Sequence, residues 1–308
     1  MEIYQSWQGF EGKQANIAVG LGNFDGVHLG HQKLLGALVN TALRLEEKSA
    51  VFTFHPHPEM VLNSKNAPPL LLTQEVKEKL ISKMGVDLLF RIPFTLEFSR
   101  MEPEVFIEKV LHEGLNVRDV FIGYNYTFGY KGRGTAALLE EYSGRCDYRL
   151  HVLPPVIVDN QAVSSTLIRN LLKEGEVAEA ARFLGYPPFF EGVVVVGDRR
   201  GAALGISTIN LEYSMDFLLP ANGVYVVKVD VEQDTYLGVA NIGNRPTFYD
   251  YSSRPGVEVH LLDFTGDLYG KIVSVHFTRR LRDEKKFSSS DELIVQIRQD
   301  IQRARENS

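Results

Sequence analysis

Between residues 22 and 31 the chain reads GNFDGVHLGH, directly behind the apolar run IAVGL. Gly22, Gly26 and Gly30 let backbone approach a ligand closely, and a helix starting just beyond them offers unpaired N–H groups to an anion. His28 and His31 lie three apart, so on a first helical turn both rings project from one face toward that anion. Two imidazoles beside a polyphosphate can donate hydrogen bonds to charge developing on a leaving group. The plainer alternative is a Gly-rich turn with two solvent-facing histidines. His55 and His57 keep a metal pair in view, although no third ligand of matched geometry is evident nearby.

Other residues of suitable type are scattered along the chain. Ser164, Ser165 and Thr166 precede an apolar-periodic stretch, an N-cap pattern. Arg169 falls on the first turns of that helix, so hydroxyls, amides and a guanidinium can converge on one anion; equally, the hydroxyls can simply cap and Arg169 be a surface charge. Glu258, in VEVHLLDF, shares a strand face with His260, and an outward-facing polar position is its simplest reading. The turn GDRRGAALG carries Gly197, Gly201 and Gly205 with Arg199 and Arg200 beside them, a weak signal either for wrapping a nucleotide or for a hairpin. FHPHP, residues 54 to 58, is a stiff loop, since each proline restrains itself and its predecessor.

The elements that must position these residues fall into two textures. Up to about residue 185, short β-like runs (IAVGL, AVFTF, DLLFRIP, RDVFIG, YRLHVLP) alternate with helical stretches such as HQKLLGALVNTALRLEE and PEVFIEKVLHEGL. That alternation implies right-handed crossovers and a parallel, three-layer, Rossmann-like α/β sheet over residues 1–185. GNFDGVHLGH then lies at the C-terminal end of the first strand of this alternation, where open α/β sheets bind ligands. At YPPFFEG two prolines and a glycine break the periodicity. Over residues 186–308 the runs VVVVGD, ISTINL, GVYVVKVDVE, YLGVANIG, GVEVHLLDF and KIVSVHFTRRL follow one another without helices between them. They imply an antiparallel barrel or sandwich, closed by the helical tail DELIVQIRQDIQRARE.

Composition limits the functions these elements can serve. The 308 residues are 44% hydrophobic and 23% charged, with a net charge of −6 that divides evenly on either side of residue 185. A nucleic-acid tracker carries a strongly basic face, so no nucleic-acid partner is expected. No apolar run approaches the roughly 18 residues of a membrane span, and no membrane partner is expected. The single Cys146 and the lack of a basic-then-apolar leader point to the cytoplasm.

The string F-D-G-V-H-x-G-H resembles the H-x-G-H signature of nucleotidyltransferases. Together with FHPHP, GYNYTFGYKGRG (123–134), VSSTLIR (163–169), GDRRGAALG, GVANIGNRPTF (238–248), VEVHLLDF and LRDEKKF (281–287), in that order, it resembles the bacterial bifunctional riboflavin kinase/FMN adenylyltransferase family nearly end to end. The resemblance implies a nucleotidyltransferase domain over residues 1–185 and a riboflavin kinase barrel over 186–308. It further implies small-molecule substrates: ATP, riboflavin, FMN and FAD, with Mg²⁺. One half would attack the α-phosphorus of ATP with an FMN phosphate oxygen and expel pyrophosphate. That chemistry needs donors and cations rather than a nucleophile.

By that resemblance His28, His31 and Arg169 act on the phosphates, and Gly22, Phe24, Asp25, Gly26, Asn125, Ser164, Ser165 and Thr166 hold the nucleotide. Phe54, His55, His57 and Phe128 contact the flavin, with Phe128 open to being core. In the kinase half Gly197, Gly201 and Gly205 wrap ATP, Glu258 orients the ribityl hydroxyl, Arg282 contacts flavin, and Thr208 and Asn210 hold the metal. Here the chain departs from the family, reading Ser207-Thr208-Ile209-Asn210 where relatives read Pro-Thr-Ala-Asn. In an extended segment Thr208 and Asn210 still share one face, so kinase activity is expected to persist with weaker ATP or Mg²⁺ affinity. Two rival readings are an adenylyltransferase with an impaired kinase, and a non-catalytic flavin or nucleotide-binding regulator. The retained histidines, Thr208, Asn210 and Glu258 speak against the latter.

Overall fold

The computed structural model describes residues 1–10, 16–196, 208–244 and 255–306. They form two compact units, Met1–Pro69 with Gln74–Ser164, and Leu70–Thr73 with Ser165–Ser308.

In the first unit β1 (Glu2–Tyr4), β2 (Ile17–Leu21), β3 (Lys48–Phe54), β4 (Leu88–Ile92), β5 (Val117–Gly123) and β6 (Arg149–Leu153) make one sheet in the order β1-β4-β3-β2-β5-β6. All pairings are parallel. The connections carry α1 (Leu29–Leu45), α2 (Pro58–Leu62), α3 (Gln74–Lys83), α4 (Pro103–Val105, continuing as a wider π-type winding over Phe106–Gly114) and α5 (Ala136–Ser143). Every β2 residue is buried, as in a strand covered on both faces. Ile17, Val19, Leu21, Phe52, Phe90, Val110 and Val120 join one core cluster, each large side chain contributing about 1.5–3 kcal/mol by leaving water. From β2 the chain steps outward through β3 and β4 on one side and β5 and β6 on the other. The C-terminal ends of β2 and β5 therefore flank the switch point of the sheet, where such folds open a crevice. A short hairpin follows, β7 (Ile157–Val158) and β8 (Gln161–Ala162), turned by Asp159 and Asn160 at φ 47° and 62°, the conformation a two-residue hairpin loop demands.

The second unit is a closed antiparallel barrel. Strands β9 (Phe189–Val195), β10 (Ile209–Glu212), β11 (Gly223–Val231), β12 (Asp234–Asn244), β13 (Pro255–Leu261) and β14 (Ile272–Arg282) run round it in the order β10-β13-β12-β11-β14-β9. Tyr225, Val227, Val229, Ala240, Ile242, Val257, Val259, Val275 and Phe277 are fully buried, alternating with outward neighbours as the β period dictates. The barrel alternative to a sandwich is thus the one realised. The C-terminal helix α8 (Ser290–Arg305) is capped by Ser289, whose side chain accepts from the Glu292 N–H. Its Ala304 packs with outward-facing Val224, Val226 and Val239. Helices α6 (Ser165–Glu174) and α7 (Val177–Leu184) also belong to this unit. Arg280 ties α6 to the barrel by donating to the carbonyls of Glu174 and Asn222 at 3.1 and 2.8 Å. The structural division therefore falls at 164/165, ahead of the composition change at 185. Among the described residues no helix is long and apolar enough to cross a membrane.

Candidate functional sites

In the first unit the segment after β2 folds into a tight loop leading into α1. Phe24 and Val27 adopt φ 52° and 33°, and Gly26 φ 84°, so the chain winds back on itself before the helix starts. Thr53 Oγ1 on β3 and Lys77 Nζ on α3 both donate to the Asn23 carbonyl, each at 3.2 Å. His28 is the N-cap of α1, and its Nδ1 accepts from the His31 N–H at 3.3 Å. An imidazole accepting at Nδ1 carries its proton, when neutral, on Nε2, which is then the donor available to an anion. The two rings stack at 3.6 Å with 10° between planes. Gly30 makes room for this, because a Cβ there would lie 3.1 Å from His28 Cε1.

Electrostatics favour the neutral form of His31. Burial first, then His28 and Lys77, hold its pKa well below the usual imidazole value, and its Nδ1 is buried without a hydrogen-bond partner. Phe24 is buried and meets the His31 ring at 5.2 Å, so it forms the floor of the pair. Asp25 is buried as well. Asn125 is exposed, two residues past the end of β5. Phe54 ends β3 and packs edge-on against Phe94 and Phe98. His55 follows it, held below the usual value by desolvation, Lys77 and Arg91 against the pull of Glu75 and Glu78. His57 caps α2, accepting from the Glu59 N–H at 3.2 Å. The ends of three adjacent strands, β3, β2 and β5, thus carry the predicted residues along one rim. Phe128 is set apart, in the core beside Phe106, which realises the core alternative for it.

In the second unit Ser165 and Thr166 open α6, with Ser164 immediately before it, and Arg169 is buried. On the barrel the register is informative. Glu258 on β13 stands directly opposite Asn210 on β10 and Asn241 on β12, and such pairs share a sheet face. Glu258 is exposed, Asn241 half-buried and Asn210 buried, while Val257 and Val259 fill the interior. Thr208 lies two residues before Asn210. Arg282 makes a two-toothed ion pair with Asp300 of α8, its Nε and terminal nitrogen reaching Oδ2 at 3.0 and 2.8 Å. Its guanidinium is thereby a staple between barrel and helix. The LRDEKKF segment reaches β12, since the Glu284 carboxylate lies where a Cβ on Gly243 would have to go. Gly197, Arg199, Arg200, Gly201, Gly205, Ser207, Arg245 and Pro246 lie outside the described residues.

Sequence reasoning missed Lys77 and Asn241. Lys77 shares the buried stripe of α3 with Gln74 and Ile81, so the available signal was a lysine at an apolar helical position. Asn241 becomes visible only once the β12–β13 register sets it beside Glu258.

A stacked histidine pair at the switch point of a parallel sheet, and a barrel bearing a carboxylate between two asparagines, suit a transferase with one site in each part of the chain. Comparisons with known proteins agree. The family model described as FAD synthetase matches residues 11–167 and that described as riboflavin kinase matches residues 184–308. The chain is 37% identical to the bifunctional riboflavin kinase/FMN adenylyltransferase of Bacillus subtilis, over 95% of this chain and 92% of that protein. It is 38% identical to the Listeria monocytogenes protein of the same description, over 94% and 92%. Its fold matches a crystal structure described as a macrolide-efflux protein from Streptococcus pneumoniae, with TM-score 0.89, 32% identity and 99% of both chains covered. The chain belongs to the family of bifunctional riboflavin kinase/FMN adenylyltransferases. Its activities are those of a transferase that phosphorylates riboflavin and adenylylates FMN with ATP.

Proposed function

We propose that the chain runs one reaction in each of two catalytic domains, divided at residue 185. In the first, the GNFDGVHLGH loop receives the ATP phosphates, and His28 Nε2 and His31 donate to the charge that gathers as pyrophosphate departs. Asn125 contacts the nucleotide, and Phe54, His55 and His57 meet the flavin; Ser164, Ser165, Thr166 and Arg169, at the start of α6, are a separate set of anion donors. No covalent intermediate is required, so the residues position and neutralise. The observation that carries this reading is the stacked His28–His31 pair, built on a capped helix start at the sheet's switch point.

In the second unit Glu258 orients the ribityl 5′-hydroxyl, with Asn210 and Asn241 flanking it. Mg²⁺ fits this place: Thr208, Asn210 and Glu258 offer hard oxygen donors of the kind it prefers, and Asn210 is a buried polar side chain in register with the carboxylate. Once bound, the ion would draw charge from the phosphate oxygens of ATP. Arg282 contributes through its hold on Asp300, setting α8 and the segment after β14. The protein works in the cytoplasm, where the substrates and a reduced Cys146 belong together.

The test is a product assay. Purified protein with MgATP is expected to convert riboflavin to FMN and FMN to FAD, resolved by chromatography. FAD from FMN without FMN from riboflavin would overturn the role given to the barrel residues.

A further inference from the structure

The buried lysine of α3 has no role in the reading above. Lys77 is 8% exposed, and a buried ammonium is costly unless it has work or a partner. Its Nζ donates to the Asn23 carbonyl, but Thr53 Oγ1 already donates to the same oxygen at the same distance. That carbonyl would stay satisfied without the lysine. Of the carboxylates that face it, Asp25 acts more strongly than Glu78, and Glu78 is also engaged by Arg91 at 2.8 Å and Gln74 at 2.7 Å. The charged groups facing Lys77 are Asp25 in the loop after β2, Glu78, Arg91 on β4, His31 on α1 and His55 after β3.

We propose that Lys77 is a positioning residue for adenylyl transfer: sharing the Asn23 carbonyl with Thr53, its ammonium is held in place and supplies a fixed positive charge beside the His28–His31 pair. The assignment rests on the adenylyltransferase reading of the first unit. In a desolvated pocket one positive charge acts on a polyphosphate far more strongly than in water. The same charge disfavours protonation of His31, which keeps that ring a neutral hydrogen-bonding group rather than a competing cation. Burial also brings the lysine itself down to about 8, against the pull of Asp25 and Glu78. Near neutral pH it is charged, and it loses its charge within the range where the enzyme can be assayed.

Lys77→Met and Lys77→Arg separate a positioning role from a structural one. Lys77→Met leaves the buried Asp25 without the cation that faces it, so it is expected to melt lower than wild type while still forming FMN from riboflavin at the wild-type rate below both transitions. Its kcat/KM for ATP in FAD formation is expected to fall by about tenfold or more, the scale of losing one electrostatic contact in a preorganised site. In wild type that kcat/KM, which reports the free enzyme, declines as pH rises past about 8; in Lys77→Arg the decline moves upward by at least a unit, because a guanidinium does not titrate there. FAD formation untouched in Lys77→Met would overturn the proposal. So would a basic limb that stays in place in Lys77→Arg. A wild-type protein making no FAD from FMN would instead remove the reading beneath it.

Discussion

In the parallel sheet the candidate residues sit in a loop beyond β2, where positive-φ backbone and a helix cap place them; in the barrel they sit on strand faces, where cross-strand register does. The loop is sensitive to single backbone positions, since Gly30 is the room that the His28 ring occupies. The barrel is sensitive to pairing, since Asn210, Glu258 and Asn241 meet only because β10, β13 and β12 are in this register. Both arrangements gather polar side chains, yet they fail in different ways: a loop by a clash at one residue, a strand face by loss of one side chain or of the helix that braces the barrel.

The largest expected effect is on the barrel. Glu258→Gln keeps the strand and its neighbours but removes the carboxylate, and FMN formation is expected to drop about 10²- to 10⁴-fold, the usual weight of a positioned acid–base group. FAD formation from supplied FMN should not change; a parallel loss of both would erase the contrast between the units. Next comes Gly30→Ala, whose added Cβ displaces the His28 ring. That contact asks the ring to give by only a few tenths of an ångström, less than the ångström that costs roughly 10²-fold, so FAD formation is expected to fall by about tenfold with FMN formation intact, and a silent variant would show that the ring stacking is dispensable.

Arg282→Met leaves Asp300, which is 1% exposed, buried without its cation. Breaking such a pair costs about 3–5 kcal/mol, to be read as an earlier urea transition for barrel fluorescence. The smallest effect is the pH dependence of the first unit. His31 is held well below 6.5 in the folded chain, so between that value and 6.5 the unfolded chain binds the extra proton. Stability is therefore complete above pH 6.5 and falls as pH drops toward the folded value. His31→Gln should flatten that part of the curve, and an unchanged slope would mean the ring is solvated.

Much of this was legible because the periodicities are local. Alternation of apolar strands and amphipathic helices announces the parallel sheet, and uninterrupted β-rich runs announce the second unit. β1 escaped notice because EIY is too short for any period, and it joins the sheet through three pairings with β4, Glu2 with Leu88, Ile3 with Leu89 and Tyr4 with Phe90. The β7–β8 hairpin had its signal in Asp159-Asn160, two residues that tolerate positive φ. The histidine motif was readable as spacing alone, while its tautomer and ring stacking depend on the cap geometry. The contact of Lys77 and the partner of Arg282 were not readable, since each joins segments distant in sequence. A lysine on a helix reads as solvated until the loop it touches, 54 residues earlier, is in place.

The central claim is that one reaction belongs to each unit, and the most direct measurement crosses two variants with two substrates. His28→Ala and Glu258→Ala are each given MgATP with riboflavin or with FMN, and FMN and FAD are resolved by chromatography. The expected result is that His28→Ala makes FMN but no FAD, while Glu258→Ala makes FAD from FMN but no FMN from riboflavin. Either variant losing both activities while still folded would contradict it.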